Sequence, residues 1–183
     1  YLSNELLAFF NAVKTALETN LSLLTGPISD HQRKEIMDAL GSAGSTYRTA
    51  IYHSTFSGEK SSVDLNDIKE FVTSALKHLE HSIAANKRGD GMYHAYNLMT
   101  VEDDNTVSIS YLDEMLEGQV AVLSSGYLSP EENLEVLDGW LELRCLEMYG
   151  IEGKDILGEN HGDSLTGYLH RFLGDDAKMD VKM

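Results

Sequence analysis

Apolar residues recur at steps of three and four along most of this chain, which is the spacing of one face of an α-helix. The clearest case is the stretch DLNDIKEFVTSALKHLEHSIAAN, residues 64–86. Its apolar residues predict a single buried face made of Ile68, Phe71, Val72, Ala75, Leu76, Leu79 and Ile83. The alternation of apolar and polar residues that is typical of strands occurs only in the short run TVSIS.

Residues that can cap a helix precede most of these segments and predict where the helices begin. The predicted caps are Ser3, Ser29 with Gln32, Asp64 or Asn66, and Ser129 with Pro130 and Glu132. A last short helix is predicted from Ser164 to Phe172. We therefore predict an all-α fold class, with helical hairpins packed as a bundle or as part of an α/α toroid. The length of 183 residues fits one helical domain over residues 1–173 with a loose polar tail over residues 174–183.

The formal net charge is −16, and most of it lies in the second half of the sequence. Residues 1–92 carry −2, whereas residues 93–183 carry −14. A negative field of this size repels phosphate groups, so we expect neither a nucleic-acid partner nor docking on an anionic membrane. No apolar run approaches the ~20 residues that a transmembrane helix needs. The sequence also predicts no cofactor.

The first residue is Tyr1 rather than methionine, which indicates a piece of a longer protein. The segment that follows has an early acidic residue, Glu5, and no basic region, so we do not interpret it as a signal peptide. A single cysteine, Cys145, excludes an internal disulfide and favours a reducing compartment. We expect a cytoplasmic protein in which Cys145 is a buried structural thiol.

The run GDGMYHAYN concentrates polar and aromatic groups between two predicted helices. Its candidate site residues are Asp90, Tyr93, His94, Tyr96 and Asn97. Two glycines beside Asp90 permit a sharp turn, which can present the carboxylate at the edge of a cleft. Two phenol rings, an imidazole and an amide are the groups that bind a neutral sugar. The alternative is a structural segment whose tyrosines pack in the core.

Two other patterns have the residue types of metal sites. His78 and His81 lie one helical turn apart, but further ligands must come from elsewhere, and two half-buried histidines are the simpler interpretation. The run EDDNTVSISYLDE has some of the spacing of a calcium loop, but Val107 takes the position that needs glycine. A solvated acidic loop is the simpler interpretation of that run.

Residues 47–138 resemble a segment of large, mostly uncharacterised bacterial proteins that are described as similar to cellobiose-phosphorylase-type enzymes. The motifs that carry the resemblance are STFSGEKSS, DGMYHAYNLM and LEGQVAVLSSGYLSPEE. The resemblance implies a helical α/α-toroid portion of a carbohydrate-active protein. The chain is several times shorter than such an enzyme and lacks its tryptophan- and proline-rich catalytic motif, so the resemblance transfers no catalytic residue.

The leading hypothesis is therefore a helical portion of a carbohydrate-active protein that binds neutral glycan through Tyr93, His94, Tyr96 and Asn97. If the larger protein cleaves glycosides, as a hydrolase or a phosphorylase does, Asp90 is the candidate general acid, because cleavage needs a carboxyl group at the leaving oxygen. The first alternative is a non-catalytic helical module that pairs with another protein or with missing parts of a larger chain. The second alternative is a helical protein that responds weakly to calcium or another metal.

Overall fold

The computed structural model describes residues 1–103, 105–113 and 115–149, which form two compact units. The first unit comprises Tyr1–Asn86 and Tyr96–Leu112; the second comprises Lys87–Ala95 and, among the described residues, those from Asp113 onward. The helices are α1 (Asn4–Thr19), a 3-10 helix (Leu21–Thr25), α2 (Asp30–Ser54), α3 (Leu65–Ala85), α4 (Leu116–Ser124) and α5 (Pro130–Tyr149). The strands are β1 (Leu2–Ser3), β2 (Lys60–Ser61), β3 (Asn97–Asp103) and β4 (Thr106–Tyr111).

The predicted all-α fold class is wrong, because helices are combined with two small antiparallel sheets of two strands each. Strand β1 pairs with β2, and β3 pairs with β4. The run TVSIS is indeed a strand, and its partner is β3, whose alternation of apolar and polar residues is limited to the four residues from Met99 to Glu102. Helix α4 begins after this hairpin, at Leu116.

The predicted caps are confirmed at the starts of four helices. Ser3 Oγ accepts a hydrogen bond from the Leu6 amide, and Asp64 accepts one from the Asn66 amide. Ser29 with Gln32 and Ser129 with Glu132 form reciprocal capping boxes. Helix α2 continues without a break through its two glycines. The predicted helix 164–172 and the tail 174–183 lie outside the described residues, as does the side chain of Cys145.

In the first unit, α1 contacts α3 through both charged and aromatic side chains. Lys14 Nζ of α1 lies 2.7 Å from Asp67 and 2.8 Å from Glu70 of α3. These two carboxylates raise the pKa of Lys14. The rings of Phe10 and Phe71 pack at 5.1 Å between centroids. The face of α3 that bears Asp67, Glu70 and Phe71 is therefore the one that packs within the unit.

Helix α2 contacts both α1 and strand β4 of the β3–β4 hairpin. The rings of Phe9 and Tyr47 stack at 5.1 Å, which joins α1 to α2. The Arg33 guanidinium of α2 donates to the Val107 carbonyl of β4 at 2.6 Å and to the Ile28 carbonyl at 3.1 Å. Val107 is fully buried, so the hairpin attaches to the unit through β4.

The loop before β2 binds back to the start of α1. The Ser57 amide donates to Glu5 Oε1 at 2.8 Å, and the Asn4 amide donates to the Glu59 carbonyl at 3.1 Å. Hydrogen bonds from the Ser57 hydroxyl and the Ser57 amide lower the pKa of Glu5 from 4.5 to about 2. The Glu5 carboxylate therefore stabilises this loop only while it is ionised.

Glu5→Gln is expected to weaken the acid dependence of stability. Because the pKa of Glu5 is lower in the folded state, its contribution is complete above pH 4.5 and is lost as the pH falls toward 2. Denaturant unfolding of both proteins between pH 2 and 5 measures this difference. Glu131→Gln, an exposed carboxylate of α5, is the control. Parallel stability curves for wild type and Glu5→Gln would exclude this role of Glu5.

In the second unit, α4 packs against α5 around a small core. Val122, Leu128 and Val136 are buried there. Gly118 is also buried, because α4 approaches the backbone of Ala95 closely at that position. Among the described residues, no helix is long and apolar enough to span a membrane.

Candidate functional site

The loop that contains Asp90 is a tight turn closed by an ion pair in the second unit. Arg88 Nε lies 3.1 Å from both oxygens of Asp90, and Arg88 Nη2 lies 2.8 Å from Oδ2. The Met92 amide donates to Asp90 Oδ1 at 3.1 Å. Gly91 has φ +82°, a conformation that favours glycine. The predicted turn around Asp90 is therefore present, but its carboxylate serves to close it.

The environment of Asp90 favours the ionised form. Hydrogen bonds from the Arg88 guanidinium, followed by the Met92 amide, lower the pKa of Asp90 below its ordinary value. A general acid must carry a proton at the working pH. This carboxylate is therefore better suited to accept hydrogen bonds than to fill the predicted role of proton donor.

Tyr93 lies inside the second unit, with an exposed fraction of 3%. Burial raises the pKa of its phenol. The Gln119 side chain accepts a hydrogen bond from the Tyr93 amide at 3.0 Å and donates one to the Tyr93 carbonyl at 2.8 Å. A residue with so little exposed surface offers little of its ring for stacking against a sugar, and the sugar-binding role of Tyr93 stays a prediction.

Gln119 is a residue that sequence reasoning missed. It is 1% exposed, and its amide also donates to the Met115 carbonyl at 3.2 Å. The signal that could have identified it is a lone amide in the apolar run GQVAVL, since a buried amide needs hydrogen-bond partners. The Gln119 side chain therefore forms hydrogen bonds with both backbone groups of Tyr93, as a neighbouring strand does in a sheet.

A recess of about 500 Å³ lies beside the Asp90 loop in the second unit. The segment Lys87–Gly91 lines one side of it, and Glu135, Asp138 and Gly139 of α5 line the other. The recess combines both signs of charge with exposed backbone, so a polar, hydroxyl-bearing molecule suits it better than an apolar one.

Lys87 links the recess to the start of α5. Its ammonium lies 3.4 Å from Glu132 and 3.7 Å from Glu135. The neighbouring Tyr93 phenol, followed by the Glu132 carboxylate, raises the pKa of Lys87. Lys87 thus remains a cation that holds two carboxylates of α5 next to the loop.

The five predicted site residues are divided between the two units. Asp90, Tyr93 and His94 belong to the second unit, whereas Tyr96 and Asn97 belong to the first. Tyr96 is 58% exposed, and Asn97 Nδ2 donates to Asn86 Oδ1 at 2.9 Å. His94 is half-buried in its own unit.

The two possible metal patterns have other roles in the structure. His78 Nε2 lies 2.9 Å from the Leu17 carbonyl, and His81 Nε2 lies 2.9 Å from the Gly26 carbonyl. The acidic run that resembles a calcium loop forms the β3–β4 hairpin instead of a loop between helices. Over residues 1–103, 105–113 and 115–149, no three potential ligands form a metal-binding group.

On α3, several aliphatic residues that the sequence predicts to be buried are exposed. Five large aliphatic residues are 40% to 80% exposed and define what we name the α3 stripe: Leu65, Ile68, Val72, Leu76 and Leu79. They follow each other at steps of three, four, four and three, so they share one face of the helix. The single apolar face that the sequence predicts therefore comprises two different sides of α3. Only the side that bears Phe71 is covered by α1.

No model of a known protein family matches the chain, and no curated protein matches it significantly. The resemblance to cellobiose-phosphorylase-type proteins stays a prediction.

Proposed function

We propose that this protein is a helical interaction module that binds an amphipathic helix of another protein along the α3 stripe. The observation that carries the proposal is the exposure of the five aliphatic side chains of that stripe. Contiguous apolar surface of this kind marks interaction sites in soluble proteins more often than isolated exposed residues do.

The distribution of residues around α3 supports this proposal. Within the unit, α3 is fixed by ion pairs to Lys14, by Phe71 and by the hydrogen bond from His78. The most aliphatic side of the helix points away from these contacts. A helix that packs through its polar side and exposes its apolar side has a surface suited to a second partner.

The shape of the stripe favours a helical partner. Its residues span about four turns, or about 21 Å of helix axis, and stay within one face of the helix. Side chains at this spacing form a ridge that fits the groove between the side-chain rows of another α-helix. Binding of an amphipathic helix by an apolar surface is a common mode of peptide recognition.

The test uses a designed amphipathic peptide, about five turns long, with leucines at the same spacing. Its affinity for the chain is measured by calorimetry for wild type and for Leu76→Glu with Leu79→Glu. We expect the double variant to weaken binding by at least about tenfold, which corresponds to about 1.4 kcal/mol. Both positions are exposed, so the fold is expected to be retained.

The matched control places the same two charges on another side of α3, at the exposed residues Thr73 and Ala84. Thr73→Glu with Ala84→Glu is expected to bind the peptide as wild type does. Equal affinities for the two double variants would contradict the proposal, as would a peptide of scrambled spacing that binds equally well.

Glycan binding is a second candidate function, placed at the recess beside Asp90. Three carboxylates, those of Asp90, Glu135 and Asp138, line this recess, and carboxylates accept hydrogen bonds from sugar hydroxyls. A neutral oligosaccharide at about 100 times its Kd should stabilise the protein by about 2.7 kcal/mol. Glu135→Gln with Asp138→Asn should remove this thermal shift, while Glu131→Gln should not. Absence of any shift across a panel of neutral sugars would remove this candidate.

A further inference from the structure

The outer edge of β3 has no strand beside it in the part of the chain that the structure describes. The sheet has the order β3–β4, so β3 is paired on one side alone. Every residue of β3 from Asn97 to Glu102 is exposed. An edge strand with free backbone donors and acceptors is a template for pairing with a further strand.

One face of this hairpin is apolar and only half covered. The register places Met99 opposite Ile109 and Val101 opposite Val107, so all four share that face. Val107 is fully buried where β4 meets α2, but Met99 and Val101 remain 56% and 54% exposed. The apolar surface therefore continues from the covered strand to the uncovered one.

The sequence of β3 does not protect this edge. Natural edge strands are commonly blocked by proline or by lysine, and the run NLMTVED contains neither. Its acidic residues stand together at the end of the strand, and the centre is uncharged. A pairing that keeps the two acidic ends apart is therefore not opposed by charge.

We infer that β3 pairs antiparallel with β3 of a second copy of this chain, which joins the two hairpins into a four-stranded sheet. Pairing centred on Thr100 places Met99 opposite Val101 of the second copy and Leu98 opposite its Glu102. A parallel arrangement would set Glu102 against Glu102, which is unfavourable. The antiparallel arrangement also has the two-fold symmetry of most homodimers.

The second copy also fits the space above the exposed apolar side chains. Strands lie about 4.8 Å apart, so the two β4 strands of the order β4–β3–β3–β4 are about 14 Å apart. An α-helix with its side chains is about 10–12 Å wide. The two α2 helices therefore fit side by side on one face and cover Met99 and Val101 from both sides. This surface is separate from the α3 stripe, so the dimer does not depend on the proposed function.

Sedimentation over a wide range of protein concentration tests the dimer. We expect a monomer–dimer equilibrium for wild type and at least a tenfold weaker dimer for Val101→Lys, because two lysines then meet near the two-fold axis. Ser110→Lys adds the same charge at an exposed position on β4 and should leave the equilibrium unchanged. Circular dichroism of each variant confirms that the protein has folded.

Cross-linking provides a test that does not depend on a destabilising change. In a Cys145→Ser background, Thr100→Cys should oxidise to a covalent dimer, and Ser110→Cys should remain monomeric. A protein that stays monomeric at every concentration would overturn the inference. So would a dimer that is insensitive to Val101→Lys but abolished by Leu76→Glu with Leu79→Glu, since that dimer would form through the α3 stripe.

Discussion

Replacing Gln119 with leucine is expected to lower the free energy of unfolding by about 3 kcal/mol. Leucine has a similar volume but leaves the Tyr93 amide and the Tyr93 carbonyl without their partner inside the second unit. Each buried backbone group left without a hydrogen bond costs about 1–3 kcal/mol. The midpoint of thermal unfolding should fall by roughly 6–12 °C.

The single tryptophan, Trp140 on α5, provides a fluorescence probe of the unit that contains Gln119. Glu117→Leu, at an exposed position on α4, is the control and should change the midpoint little. A loss below about 1 kcal/mol for Gln119→Leu would mean that the net contribution of this amide is no larger than that of an ordinary hydrogen bond. The position of Tyr93 would then depend on packing rather than on Gln119.

Gly118→Ala is expected to destabilise the protein by about 1–3 kcal/mol, the usual cost of overpacking. A methyl group at this position would lie 2.6 Å from the Cβ atom of Ala95 and 3.2 Å from its Cα atom. Because the neighbour includes backbone, relief requires α4 and the Asp90 loop to move apart. The midpoint followed by Trp140 fluorescence measures the effect.

The same substitution has the opposite expected sign at Gly41. This glycine lies within α2, and no heavy atom lies within 4 Å of an added Cβ atom. Alanine should stabilise the helix there by about 0.5–1 kcal/mol, because it loses less backbone entropy on folding. Equal effects of Gly41→Ala and Gly118→Ala would contradict the close approach between Gly118 and Ala95.

The Asp90 segment illustrates how far sequence reasoning reaches at a candidate site. Glycines on both sides of Asp90 predict a tight turn, and the structure contains it. The prediction succeeds because the geometry of a turn depends on residues that are neighbours in the sequence. The residues that form hydrogen bonds with this segment, in contrast, include ones far away in the sequence. The buried backbone of Tyr93 is hydrogen-bonded to Gln119, 26 residues away, and no local pattern predicts that pairing.

The strands show the same limit of prediction from local sequence patterns. TVSIS is the one run that the sequence analysis identifies as strand-like, whereas β3 overlaps the candidate site segment at Asn97 and the acidic run at Glu102 and Asp103. Its run NLMTVED alternates only over the four residues from Met99 to Glu102, and β4 supplies the hydrogen bonds that hold it extended. A strand pairing of this kind is a property of two segments together, which the pattern of either one alone does not contain.

The sequence by itself determined where α1, α2, α3 and α5 begin, because a cap joins a side chain to a backbone amide two or three residues away. Ser29 with Gln32 and Ser129 with Glu132 are read directly from the sequence for that reason. Only the tertiary structure decided which side of α3 is buried. Helical periodicity places Phe71 and Leu76 on the same helix, but the contact of Phe71 with Phe10 covers one side and leaves the α3 stripe exposed. Burial depends on the position of neighbouring elements, and that position is set by contacts between residues far apart in the chain.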